Sequence, residues 1–526
     1  MRPDLEHFLR PLRMDVSLAH RLAREFRQTF KYLAAESLEQ FLPTPISDTI
    51  LRPAAGSEKG RYLAIDIGGT NLRVGFIELL GNERATGTAK GVNGSGKANG
   101  DTSQTTRLRR VLEKSWPILE HLKNEKADDL FAWIGACIAE VVQDGSERFT
   151  LSHEQPLPLG VAFSFPIVQH KLSEATLMSM GKGFAITSNL DLGRQLLQGY
   201  EKAKSQNLPP IRIAAIANDS VATMVSFVYQ AQESPTRKAS MGLICGTGCN
   251  ATIPLRKDML HRDKVPTEVG VTDEDNGEDV KVAVNTEWTI NGTAPTLQKH
   301  GLISEWDSKL DAECDKPGFQ PLEYMTAGRY LGELGRLILV DYLTKQLGFA
   351  ENALPQQLLH RYGLSTTFLS RIKPPDESNL VETLQTEFPV TSTEFRWTKE
   401  TAMALYEIAK AIEVRAAGII AAATIGLLAC AGDLPLRAPL AETSNQTKPL
   451  NGSGSQKELI VGYTGGCIAH FQDYLADCQE FLDQIIEAEL GASPPVRVVL
   501  SACHDGGITG AGVLAGSSQA RAASIS

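Results

Sequence analysis

Apolar positions change their period along the 526-residue chain. Between Leu18 and Leu42, the residues Leu22, Phe26, Phe30 and Leu33 recur at helical spacing, which predicts one or two amphipathic helices. Pro43, Pro45 and Pro53 break that pattern. Arg61 to Leu80 reads as a strand, a Gly-rich turn and a second strand. Gly81–Thr106 is poor in apolar residues and reads as a flexible loop. Arg109 to Val142 reads as helical, and the short apolar runs Gly160–Pro166 and Ile211–Ala217 read as buried strands. Another pair of strands brackets a GTGCN turn at Gly246. Tyr324–Ala431 is helix-rich, and its apolar run Ala416–Ala431 is shorter than the roughly 18–20 residues that span a bilayer. A buried core helix is expected there. A second flexible loop, Asp433–Gln456, precedes LIVGYTGG and VRVVLSACHDGG, each a strand–turn–helix pattern. Strands alternating with helices predict an α/β fold.

A hydrophobic fraction of 42 % supplies a full core and excludes wholesale disorder. The net charge of −10 argues against a nucleic-acid-coating role, while leaving room for a local phosphate site. None of the eight cysteines forms a CxxC pair or a zinc spacing, so reduced thiols in an intracellular protein are expected. The N-terminus carries Asp4 and Glu6 and no apolar segment, so no secretory signal is expected. The cytosol is the expected compartment, with the mitochondrial surface or the nucleus as alternatives.

Three Gly-rich matches carry little. GVNGSGKA at Gly91 ends in Ala98 where a Walker A loop needs Ser or Thr. GTGCNA at Gly246 and GAGVLA at Gly510 match a dinucleotide fingerprint, but the first leads into a strand-like run and the second lacks room for a βαβ unit. The specific signal is LAIDIGGTNLRVGFIEL, Leu63–Leu79, a hairpin whose tip carries Asp66, Gly68, Gly69, Thr70, Asn71 and Arg73. Glycines let backbone approach a phosphate, and successive N–H groups form an anion nest. Asp66 could hold a metal-bound water and Arg73 could offset phosphate charge.

That hairpin resembles the first phosphate loop of the sugar-kinase, actin and heat-shock ATPase superfamily. LPLGVAFSFPIVQHKL (Leu157–Leu172), Lys182-Gly183-Phe184, AIANDSVATM (Ala215–Met224), MGLICGTGCNA (Met241–Ala251), NTEW (Asn285–Trp288) and EYMTAGRYLGE (Glu323–Glu333) follow in the order seen in the eukaryotic hexokinase family. The resemblance covers nearly all the chain after its first ~15 residues. It implies a two-lobed, duplicated ribonuclease-H-like (actin-like ATPase) sugar-kinase fold, with an N-terminal lobe at 12–230 and a C-terminal lobe at 236–516. It implies ATP and Mg2+ as cofactors and a hexose, glucose first, phosphorylated on its 6-hydroxyl. Asp219 would be the base and Lys182 would contact sugar and steady the phosphoryl group. Ser164, Asn218, Asn250, Glu287 and Glu323 would bind the sugar. Gly246, Thr247, Gly248, Gly465, Asp505 and Gly506 would join the first loop in holding the nucleotide.

The chain departs from the family pattern in places. Met180-Gly181 stands where Trp-Thr usually precedes Lys-Gly-Phe, and Ala222 replaces a glycine after the Asp219 motif. Thr464 replaces an acid and Gly466 a hydroxyl residue. Asp505-Gly506-Gly507-Ile508-Thr509-Gly510 lacks the serine and lysine of the usual adenosine loop, and Thr289-Ile290-Asn291 follows NTEW. Each lost ligand bond costs ~0.5–1.5 kcal/mol. Two classes of function are therefore expected: a working hexokinase, or a catalytically weak or inactive hexokinase-like sugar sensor that regulates nutrient response, with regulatory protein partners.

Overall fold

Asp15 accepts a hydrogen bond from the Leu18 amide and so starts helix α1 (Val16–Glu36), whose Leu22, Phe26, Phe30 and Leu33 are all buried. The computed structural model describes residues 3–47, 59–81, 107–124, 127–178, 190–231, 234–266, 280–376, 379–436 and 456–525. Apart from their ends, the two expected loops, Gly81–Thr106 and Asp433–Gln456, lie outside the described residues, as does Lys182.

After α1 come β1 (Lys59–Ile67), β2 (Asn71–Leu80), β3 (Leu108–Pro117), α2 (Ala127–Arg148), β4 (Leu157–Phe163), α3 (Leu192–Ala203), β5 (Ile211–Asn218) and α4 (Asp219–Gln230). The hairpin β6 (Arg237–Cys245) and β7 (Cys249–Arg256) precedes β8 (Lys281–Asn285), α5 (Pro321–Thr326), α6 (Gly328–Asp341) and α7 (Lys399–Cys430). The two expected strand–turn–helix repeats follow as β9 (Lys457–Thr464) with α8 (Gly466–His470), and β10 (Val496–Ala502) with α10 (Gly506–Ile525); helix α9 (Tyr474–Leu490) lies between them.

The chain forms two units. Unit 1 comprises 1–42, 233–265 and 284–504, and unit 2 comprises 43–232, 266–283 and 505–526. The expected division near 230–236 is thus one of several boundaries between the units along the sequence. The C-terminal helix α10 belongs to unit 2 because it packs on β1, β4 and α4.

Unit 2 is built on a sheet of order β3-β2-β1-β4-β5. Strands β1, β2 and β3 are antiparallel neighbours, while β4 runs parallel to β1 and β5. Its core joins Leu63, Ile65, Val74 and Phe76 of the sheet to Ile134 and Ile138 of α2 and Leu196 of α3. Helices α2 and α3 meet at Gly135 and Gly199, where either added Cβ would overlap the facing backbone. The same closeness explains small residues on α10: a Cβ on Gly510 would overlap the Ala222 carbonyl. The helix expected over Arg109–Val142 is corrected in its first part. Leu108–Pro117 is a strand, half-exposed along most of its length, whose backbone bonds are taken by β2.

In unit 1, β6 pairs antiparallel with β7, placing Cys245 opposite Cys249, and β9 lies parallel to β6 and β10. Helices α1, α7 and α9 pack together beside them. Helix α7 is long and apolar enough to cross a membrane, but its apolar window is mostly buried in the protein. Its Gly418 and Gly426 lie against Met14 and Phe26 with no room for a Cβ. Buried Arg415 on α7 is balanced by Asp307, at 2.7 and 2.8 Å.

Candidate active site

In unit 2, the tip between β1 and β2 holds Gly68, Gly69, Thr70 and Asn71. Gly68 N–H donates to the Asn71 carbonyl at 2.9 Å, closing the turn. Thr70 and Asn71 are exposed, and Asn71 Nδ2 donates to Thr70 Oγ1 at 3.3 Å. Behind the tip, Asp66 and Arg73 face each other across the strand pair, with Arg73 Nε 4.0 Å from Asp66 Oδ2. Burial pushes the Asp66 carboxyl up to about 7; Arg73 opposes the shift, while the charges of Asp219, Asp505 and Glu113 add to it.

Asp505 sits immediately before α10 in the left-handed region, φ 56°. Its carboxylate accepts from Arg73 Nη1 at 2.5 Å and lies 2.8 Å from Arg110 Nη1. Gly506 follows as the first residue of α10, where a Cβ would press on Thr223. A Cβ on Gly507 would stand 2.7 Å from the Asp66 carboxylate, so the missing serine of the family pattern is matched by close approach of this carboxylate. Thr509, at the family's lysine position, shares a 2.6 Å hydrogen bond with Ser226 on α4 and is buried. A lysine there would replace the Thr509 hydroxyl and meet the buried Ser226.

Strand β5 ends at Asn218, and Asp219 opens α4. Asn218 Oδ1 caps the helix by accepting from Ser220 N and Oγ at 2.9 and 2.7 Å. Its Nδ2 donates to the Phe163 and Phe165 carbonyls at 3.3 and 3.5 Å, fixing the turn that carries Ser164. The Ser164 amide in turn donates to Ile67 O at 3.0 Å. Asn218 therefore orients both Asp219 and Ser164.

Unit 1 holds the remaining candidates. Gly246, Thr247 and Gly248 form the β6–β7 tip, with Gly246 N–H donating to Gly248 O at 2.9 Å. The carbonyls of Gly246 and Thr247 accept from Gly328 N and Arg329 N at 2.8 and 3.2 Å, satisfying donors at the start of α6. Gly465, φ 125°, packs so closely that a Cβ would overlap the Cys245 carbonyl. Beneath the tip, Cys245 and Cys467 Sγ and the Tyr474 hydroxyl all point to the Thr326 carbonyl, and burial pushes Cys249 well above its ordinary range. All eight cysteines are free thiols.

On β7, Asn250 Nδ2 donates to Asn285 Oδ1 at 2.8 Å and to Glu287 Oε1 at 3.2 Å. Asn285 Nδ2 donates to the same Glu287 oxygen at 2.8 Å, and Asn250 Oδ1 accepts from Glu287 N at 3.1 Å. The Glu323 carboxylate, on α5, accepts from Cys249 N at 3.0 Å. Asn250, Glu287 and Glu323 thus converge on one end of β7. The sequence reading missed Asn285, although it opens the NTEW segment, and missed Arg110 as a second partner of Asp505. Among the described residues, no group of three or more His, Cys, Asp or Glu side chains is arranged to hold a metal ion.

The hexokinase family models match residues 4–229 and 240–517. The hexokinase of Schwanniomyces occidentalis is 32 % identical over 62 % of this chain and 59 % of that protein. Hexokinase-2 of Schizosaccharomyces pombe is 28 % identical over 82 % of this chain and 80 % of that one. The chain is similar in structure to a hexokinase from Schistosoma mansoni complexed with glucose, with TM-score 0.71, 22 % identity and 98 % of each chain covered. The first of these matches spans about three fifths of the relative's length. The fold is the α/β actin-like ATPase fold that hexokinase structures share. The chain belongs to the hexokinase family.

Proposed function

We propose that the protein transfers the γ-phosphoryl group of ATP to the 6-hydroxyl of a hexose, glucose first among them. The observation that carries this reading is the Asn250–Asn285–Glu287 network, which presents a fixed amide and carboxylate pair of the kind that sorts sugar hydroxyls. Glu323 adds a second carboxylate held by backbone. Asp219, placed at the start of α4 by the Asn218 cap, favours an enzyme over the sensor-only alternative.

Asp219 would take the 6-hydroxyl proton as the phosphoryl group leaves ATP. The cap by Asn218 fixes where that carboxylate starts. Backbone N–H groups at the first Gly-rich tip, with Arg73, would hold phosphate oxygens. Mg2+ bound with ATP would neutralise phosphate charge. Asp66 fits a role near that ion, because its carboxylate is crowded by Asp219 and Asp505 and gains from a nearby cation. The eight free thiols suit a reducing compartment, and the cytosol is part of this proposal.

The test is a coupled assay with Mg-ATP and a panel of hexoses, the product's phosphate position being read by phosphorus NMR. Hexose 6-phosphate is expected, with glucose a good substrate. Absence of product with every hexose would overturn the reading.

A further inference from the structure

We propose that Gln40 is a positioning residue that sets the sugar-binding carboxylate of Glu287; this rests on the hexose-kinase reading above. Glu287 has φ 45°, a left-handed conformation uncommon for residues with a side chain. Such a conformation persists only where surrounding bonds over-determine it. Asn250 Oδ1 holds the Glu287 N–H at 3.1 Å. Gln40 Nε2 holds the carbonyl of the same residue at 2.9 Å. The other end of the Gln40 amide accepts from Gly292 N at 3.1 Å, so one side chain spans both ends of the turn after Glu287. Gln40 is 1 % exposed, so water does not substitute for either bond. A Cβ on Gly292 would overlap Gln40 Oε1, which shows how closely the turn is seated on the amide.

Gln40 is itself fixed. Its N–H donates to Ser37 Oγ at 3.1 Å, and its carbonyl accepts from Lys264 Nζ at 2.8 Å. The next residue, Phe41, donates its N–H to Thr286 O at 2.9 Å. The segment after α1 is therefore stapled to the residues on either side of the Glu287 backbone. Losing the Gln40 amide leaves the Glu287 carbonyl to the longer bond from Ile290 N at 3.2 Å, takes the acceptor from Gly292 N–H, and lets the turn relax. The Glu287 carboxylate then leaves the position where Asn250 and Asn285 hold it.

The test compares wild type, Gln40→Met and Gln40→Glu by glucose calorimetry, KM for both substrates and thermal unfolding. Gln40→Met keeps the volume and removes both bonds; glucose binding should weaken about tenfold, with ATP KM within about twofold of wild type. Gln40→Glu can make both bonds only when protonated. Its glucose Kd should therefore rise between about pH 5 and 8 well beyond any change in wild type. This pH series decides the matter even where Gln40→Met does not fold. A wild type that binds glucose, with Gln40→Glu matching it at every pH, overturns the positioning role and leaves the hexose reading standing. Lower melting temperatures with unchanged glucose affinity likewise overturn it. A wild type that neither binds nor phosphorylates any hexose overturns the hexose reading, and this inference with it.

Discussion

Asp505 holds Arg73: the carboxylate before α10 accepts from the guanidinium behind the first Gly-rich tip at 2.5 Å, while Arg110 approaches from β3 at 2.8 Å. The partners are about a third exposed, so the pair contributes ~1 kcal/mol or less to stability. Its importance lies in direction. Without Asp505, Arg73 is free to close the 4.0 Å gap to Asp66 and to leave the phosphate position. Asp505→Ala should therefore raise the KM for Mg-ATP severalfold while moving the melting temperature only slightly. Unchanged nucleotide KM would show that Arg73 needs no such partner.

Restoring the family's serine at position 507 should harm the protein. The added Cβ meets the Asp66 carboxylate at 2.7 Å, and overpacking of this kind typically costs ~1–3 kcal/mol. Gly507→Ser should lower the melting temperature and the turnover together. A gain in either would mean that α10 can move away from Asp66 at little cost.

Burial pushes the Glu413 carboxyl up to about 8, from an ordinary 4.5; its bond to Lys410 opposes the shift, while Asp477 and Asp473 reinforce it. A raised carboxyl binds its proton more tightly in the folded protein. Its contribution is therefore complete below about pH 4.5 and is lost as pH rises through about 8. Glu413→Gln, neutral throughout, should unfold at a higher temperature than wild type at pH 8.5, and the difference should shrink towards pH 5. Parallel curves for the two proteins across that range would contradict this.

Asn285→Ala removes one of the two amides on Glu287 Oε1 and should raise the hexose KM about five- to thirtyfold, a loss of ~1–2 kcal/mol. Melting temperature and ATP KM should change little. Equal effects on both substrates would assign Asn285 to the fold and not to the sugar.

Much of the fold was legible because burial matches period: Leu22, Phe26, Phe30 and Leu33 all face the core, and Gly160–Pro166 and Ile211–Ala217 lie largely in buried strands. Leu108–Pro117 was misread because its polar and apolar residues fit a helix nearly as well as an edge strand. The backbone bonds that decide the matter come from β2, about thirty to forty-five residues away. Candidate site residues were legible where they share a local motif, as Asp66 and Arg73 do. Gln40 and Arg110 were not, because their roles come from partners hundreds of positions distant. Asn218 was legible as a site residue, but only its bonds to Phe163, Phe165 and Ser220 show that it also builds the turn and the cap.

The most direct measurement is a comparison of kcat and glucose affinity between wild type and Asp219→Asn. Wild type should turn over ATP and glucose to glucose 6-phosphate. The variant should bind glucose with similar affinity and lose a factor of about 100 to 10,000 in kcat, as removal of a general base requires. A wild type without turnover, or a variant that keeps its full kcat, would contradict a phosphoryl transfer that depends on Asp219.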